Sequence, residues 1–382
     1  MFVRYSSIIT FLLLFSGNSG SLAQSSTPGD SLLNAIVREK DPEVMAVRLI
    51  TLAEELIRLS DKSSSIYAER AYKTADSINS KALMAKAALT AGTAFRLNNN
   101  YSKSASYLML AAEQYTVLND IRKKGNSLGQ LSETYRASGE LPQAEKYLFQ
   151  ALKIFSKLND TLNLAITYNR LAATAYEQYY NDPVFLGIFD RSIKDPVVFR
   201  KTIDSVPVLR KRYLLLNHYI HQAMAFSGTT EELKNNRIST LIIQAALQGT
   251  RMHYEIASRL FYPIIDSIQN SDQQNDLPLA LYNLSINLAG AGKLDEAEHF
   301  ALESYRLALK KDIKIYIILS AKALHEIYVA KGDYQNAYKF LDLFIGLRRQ
   351  NYNADVDLKL NSVRFAHEIK NRELQISNRD TR

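Results

Sequence analysis

Small side chains recur in this chain on a beat of 40 residues: Ser64, Ser104 and Ala144 keep it in the first half, and Ala257, Ala297 and Ala337 in the second. Each heads the same short pattern. Leu148 and Ala151 follow Ala144, Leu108 and Ala111 follow Ser104, and Ala68 and Ala71 follow Ser64. Upstream of Ala144 stand Leu131, Tyr135, Gly139 and Leu141; upstream of Ser104 stand Gly92, Phe95, Asn99 and Tyr101. The phrase Leu118-Asn119-Asp120 returns as Leu158-Asn159-Asp160. Self-similarity at a fixed period of roughly 20–50 residues marks an array of stacked units, each too small to bury its apolar face alone.

Residues 121–158 show what one unit does. Leu128, Leu131, Ser132 and Tyr135 have the spacing of one helix face. Gly139 stops that helix, because it accepts the left-handed conformation of a helix end. Pro142 opens the next helix, where a missing N–H is no loss. Ala144, Leu148, Ala151 and Phe155 share a face of this second helix, and its small residues let two antiparallel helices approach closely. Later units repeat the pattern as Leu284, Leu288, Gly292, Leu294, Ala297 and Ala301, then as Leu324, Tyr328, Gly332, Tyr334, Ala337 and Leu341.

This order of small, aromatic, glycine, aromatic and alanine positions resembles the tetratricopeptide repeat over roughly 43–180 and 238–350, in a form longer than the usual repeat. None of the copies carries a tryptophan. The resemblance implies an all-α, right-handed superhelical solenoid of about six to seven helical hairpins over 42–350. The beat breaks once: Ala144 to Ala257 is 113 residues where two periods would be 80. The surplus falls in an insertion at 182–237, whose Asp182-Pro183, Asp195-Pro196 and Val206-Pro207 mark boundaries. Val208 to Phe226 within it reads as one further helix. The expectation is a repeat over 161–226 whose second helix is displaced by a loop.

The two ends differ from the array. Arg4, the apolar run Ile8 to Phe15 and Ser21-Leu22-Ala23 before Gln24 form the pattern of a cleaved signal peptide over 1–23. Residues 24–41 read as a linker and the start of the array. The chain has no cysteine, which excludes disulfides and thiol chemistry. Its formal charge is +8, or +7 without Arg4, spread along the array rather than gathered into a phosphate-tracking block, so nucleic acid is not an expected partner. Residues 351–382 lack glycine and proline, and Leu358, Phe365, Ile369 and Ile376 approximate a seven-residue stripe. That tail reads as a charged helix able to pair with a second copy or dock on a partner. A signal peptide, tetratricopeptide-like repeats and such a helix together resemble the periplasmic sensory region of Bacteroidota-type histidine kinases and regulators, without the span and output domain found there.

Chemistry-bearing motifs are sparse. His367-Glu368 resembles the phospho-accepting box of histidine kinases, but the usual proline is Arg372 and no glycine-rich nucleotide segment follows. His218 and His221 share a helix face without the glutamate of a zinc-protease motif. No catalytic residue, metal or cofactor is expected, and the chain does not read as an enzyme. In tetratricopeptide arrays the first helix of each hairpin lines the binding groove. Carried over by position, this gives Lys86, Thr93 and Arg96, then Asn126, Glu133 and Arg136, then Asn169 and Tyr176. In later units the equivalent positions are Ile242, Leu279, Tyr282 and Ile286, a greasier stretch. The expected activity is binding of a protein or peptide at the cell envelope, in a sensory role; the alternative is a structural adaptor of an envelope or secretion complex.

Overall fold

A computed structural model describes residues 33 and 35–349, apart from 60, 190–192, 194, 227, 229, 271–275 and 312. Within them the fold is built from helices alone. After a helical stretch over 35–38 comes α1 (Pro42–Arg58), paired with α2 (Ser64–Ser77). The next hairpins are α3 (Lys81–Leu97) with α4 (Tyr101–Val117), and α5 (Ile121–Ala137) with α6 (Leu141–Lys157). Then come α7 (Thr161–Tyr180), α8 (Pro183–Phe189), α9 (Pro196–Ser205) and α10 (Pro207–Ala225). Three hairpins close the described chain: α11 (Glu231–Thr250) with α12 (Tyr254–Gln269), α13 (Leu277–Gly290) with α14 (Leu294–Lys310), and α15 (Lys314–Lys331) with a last helix, α16, over 334–349. The chain divides into two compact units between Thr167 and Tyr168. The expected signal peptide and charged tail, with His367-Glu368, lie outside the described residues, as does most of the expected linker.

The period has a local cause. Helices α3, α4, α5 and α6 are each 17 residues long, and three turn residues between them complete a step of 20. The middle turn residue is left-handed every time: Asn79, Asn99, Asn119, Gly139 and Asn159 have φ between +50° and +84°. The N–H of the residue after it closes on the carbonyl five residues back, as Asn100 does on Phe95 O at 2.9 Å and Glu140 on Tyr135 O at 2.9 Å. That is the Schellman end of a helix. At four such turns the closing residue also caps the next helix. Asn100, Asp120, Asp160 and Asp333 accept the N–H of the third residue beyond them at 3.0–3.2 Å. One residue ends a helix and its neighbour starts the next.

Small side chains then set how closely the helices meet. Ser64, Ser104, Ala144, Ala257 and Ala297 are fully buried and Ala337 nearly so. Of the two serines at this position, Ser104 Oγ lies 2.8 Å from Thr134 Oγ1, whereas the buried Ser64 Oγ has no hydrogen-bond partner among the described residues. Packing also joins successive first helices, α1 with α3 and α3 with α5 in the N-terminal unit, α11 with α13 and α13 with α15 in the C-terminal one. Among the described residues no comparable packing joins successive second helices. First helices therefore form the inner layer of each unit, the tetratricopeptide-like arrangement.

The insertion is more helical than the sequence suggests. The Asp-Pro boundaries are helix starts, with Asp182 accepting from Val184 N at 2.8 Å and Asp195 from Val197 N at 2.7 Å, and proline in the first turn. Phe185 and Phe199, fully buried, stack edge-on at 6.1 Å and bring α8 and α9 onto Tyr179 of α7. The expected helix over Val208–Phe226 is present as α10.

Gly92 faces α4 so closely that an added Cβ would lie 2.4 Å from Leu108 Cγ. Gly92→Ala should destabilise the N-terminal unit by about 1–3 kcal/mol, read as a lower urea midpoint. Gly332→Ala, where a Cβ meets nothing within 4 Å but φ is +78°, should lose only the roughly 1 kcal/mol of a left-handed alanine.

Candidate functional site

The inner layer of the N-terminal unit carries six of the expected groove residues. Lys86 is exposed on α3 and pairs across to Glu54 of α1 at 3.5 Å. Thr93 is half-buried, its hydroxyl donating to Leu89 O at 3.1 Å. Arg96 is buried and donates from Nη2 to Gln130 Oε1 of α5 at 3.3 Å. On α5, Asn126 is half-buried, and Glu133 and Arg136 form a buried ion pair with Oε2 and Nη2 2.9 Å apart. The structure thus brings Arg96, Gln130, Glu133 and Arg136 onto adjacent first helices, with Lys86 and Asn126 toward their beginnings.

Asn169 and Tyr176 have a different surrounding. Asn169 Nδ2 donates to Thr240 Oγ1 at 2.8 Å, and the Tyr176 hydroxyl sits 2.8 Å from Thr250 Oγ1. Both are buried against α11, and burial pushes the Tyr176 hydroxyl well above its ordinary range. These side chains hold α7 to α11 rather than lining an open face. The greasier positions behave likewise: Ile242, Leu279 and Tyr282 are core residues, and Ile286 alone among them is half-buried.

Two polar features escaped the sequence reading. The first is Lys322 with Glu326 on α15, Nζ and Oε1 3.7 Å apart and Glu326 buried. Glu326 stands two residues before Tyr328 and six before Gly332, as Glu133 stands two before Tyr135 and six before Gly139. The repeat register placed a carboxylate at the same inner-layer position twice, and that signal was open to reading. The second is Arg251 after α11. It donates from Nη2 to Asp204 Oδ2 at 2.7 Å, lies 3.4 Å from the Tyr179 hydroxyl, and stacks over the Tyr213 ring at 4.1 Å. One buried guanidinium ties α9 and α10 to α7 and α11; cation–π stacking adds to the charge pairing.

His218 and His221 are exposed on α10, and His325 Nδ1 donates to Ala337 O at 2.9 Å within the repeat packing. Among the described residues no His, Cys, Asp or Glu cluster is arranged to hold a metal ion, and no helix is long and apolar enough to cross a membrane.

No known family profile and no curated protein matches the sequence. Among solved structures, the chain is similar to a STAND-class signal-transduction ATPase with a tetratricopeptide repeat sensor from Pyrococcus horikoshii, at TM-score 0.39 and 18% identity. The match covers 88% of this chain and 52% of that one. A Naa15/Naa10 complex bound to HypK-THB is similar at TM-score 0.25 and 13% identity, over 88% of this chain and 66% of that chain. This chain therefore spans about half the length of the first and under two thirds of the second. The tetratricopeptide-like description rests on the hairpins, their left-handed turns and the inner layer of first helices.

Burial raises the Glu326 carboxyl from its ordinary 4.5 to about 7, Lys322 opposing the rise. Between those values the native state keeps a proton that the unfolded chain has released, so stability falls as pH rises from 4.5 to about 7. Asp276, raised by burial to about 6 against Lys311, adds to the same decline. Urea midpoints measured across this window should fall less steeply for Glu326→Gln than for the wild type; parallel curves would remove Glu326 from the account.

Proposed function

We propose that the chain is a protein-binding module that takes a peptide or partner segment along the first-helix face of its N-terminal unit, without catalysis. The supporting observation is the polar character of that face. Lys86, Thr93, Arg96, Asn126, Glu133 and Arg136 all lie on first helices, with Arg96, Glu133 and Arg136 buried in the inner layer and Arg96 reaching α5 through Gln130. Charged groups held by neighbours on rigid helices recognise a ligand at low conformational cost. Both signs of charge are present, which suits a polar segment with its own alternating charges.

The setting we propose is the cell envelope, in a sensory or signalling role. It rests on the basic, apolar and small-residue order from Arg4 to Ala23. Expressed with its own N-terminus in a Gram-negative host, the chain should be recovered from the periplasm with Gln24 as its first residue; an intact Met1 on cytoplasmic protein would refute export.

For the binding face, Arg96, Glu133 and Arg136 are best replaced together by glutamine, so that no buried ion is left without its partner. The triple variant should unfold cooperatively yet capture fewer envelope proteins than the wild type in a quantitative pull-down. Identical capture profiles would sink the assignment of this face.

A further inference from the structure

The insertion carries a second surface that neither the repeat pattern nor the first-helix face accounts for. Helices α9 and α10 meet at Val206, and their junction opens a cleft of about 320 Å³ lined by Asp204, Ser205, Pro207, Arg210, Lys211 and Leu214. The charge of this cleft is settled by pairs on its far side. The carboxylate of Asp204 is engaged by buried Arg251 at 2.7 Å. The neighbouring Arg212 is engaged by Asp182 Oδ2 at 2.9 Å and Gln178 O at 2.6 Å. Arg210 and Lys211 are exposed, and neither forms an ion pair among the described residues. Lys201 is exposed one helix away.

Apolar side chains share the cleft wall with these charges: Pro207 is exposed and Leu214 58% exposed, and Val208 beside Pro207 is 42% exposed. An apolar surface this open beside unpaired cations is the composition of an interaction site rather than of a solvated helix face. A recess at the small end of the ligand-pocket range admits one bulky side chain.

We infer that this cleft docks an acidic segment of a partner protein, with an apolar anchor against Pro207 and Leu214 and flanking carboxylates on Arg210 and Lys211. Charge complementarity commits the occupant to an acidic one: the stretch 195–225 holds Arg200, Lys201, Arg210, Lys211 and Arg212 against Asp195 and Asp204, and Asp204 is already neutralised. A concave recess with a carboxylate in its wall favours a peptide over a lipid surface.

The test uses the full chain and a fluorescein-labelled peptide in which glutamates flank a central leucine, read by fluorescence anisotropy. The peptide should bind at least about tenfold more tightly than its counterpart with lysine for glutamate, and binding should weaken as salt screens the contact. Arg210→Glu with Lys211→Glu should abolish binding, and Leu214→Ser should weaken it, both without lowering the thermal midpoint, because all three side chains are exposed. The triple glutamine variant of the first-helix face should bind the peptide normally. Equal affinity for the acidic and basic peptides, or an unaffected Arg210→Glu/Lys211→Glu variant, overturns the proposal. Loss of binding in the triple glutamine variant instead moves the site to the first-helix face. Sedimentation with phosphatidylglycerol vesicles, lost in Arg210→Glu/Lys211→Glu while the peptide fails to bind, would identify a membrane surface and overturn it as well.

Discussion

One backbone device recurs through this structure: a residue at positive φ ends a helix, and at four turns the residue after it caps the next helix. Asn99 and Asn100 do this between α3 and α4, Asn119 and Asp120 between α4 and α5, Asn159 and Asp160 between α6 and α7. The left-handed residue satisfies the last carbonyls of one helix, and the cap satisfies an early N–H of the next. With both ends served inside three residues, no long connection is needed and consecutive helices are held antiparallel. Everything that stacks inward follows from that geometry.

Packing then refines the hairpins. Fully buried Ala144, Ala151, Ala297 and Ala301 add little side-chain entropy loss and let helix backbones approach. Aromatic rings fill what remains, as in the parallel stack of Tyr135 on Tyr147 at 5.3 Å and of Tyr328 on Phe340 at 5.7 Å. These pairs recur at equivalent repeat positions, so their tyrosines belong to the core.

How much could be read from the sequence depended on which groups decide the outcome. The period, the stop at Gly139 and the small residues at Ser104 and Ala144 are local signals, and the structure uses them as local signals should be used. The asparagines were harder. Leu118-Asn119-Asp120 repeats visibly, yet only the backbone shows that asparagine replaces glycine as the left-handed residue in the N-terminal turns. The Asp-Pro pairs at 182 and 195 were legible as boundaries, while their service as helix starts depended on Phe185 and Phe199 finding a shared core. Asn169 and Tyr176 matched a groove register, but their surroundings were decided by Thr240 and Thr250, some 70 residues away. Long-range partners of this kind leave no mark in the local pattern.

The turn every 20 residues also constrains how a chain of this type can change its length. A segment of 40 residues begins and ends at equivalent turns, so gain or loss of that length leaves every helix stop and every cap in phase. A change that is not a whole number of 20-residue steps would put a turn residue inside a helix. The stretch between α7 and α11 is the exception that shows the rule, for it supplies Asp182, Asp195 and Thr230 as helix starts of its own. New surface enters such an array where it brings its own punctuation, and the buried Arg251 helps fasten it to the neighbouring helices.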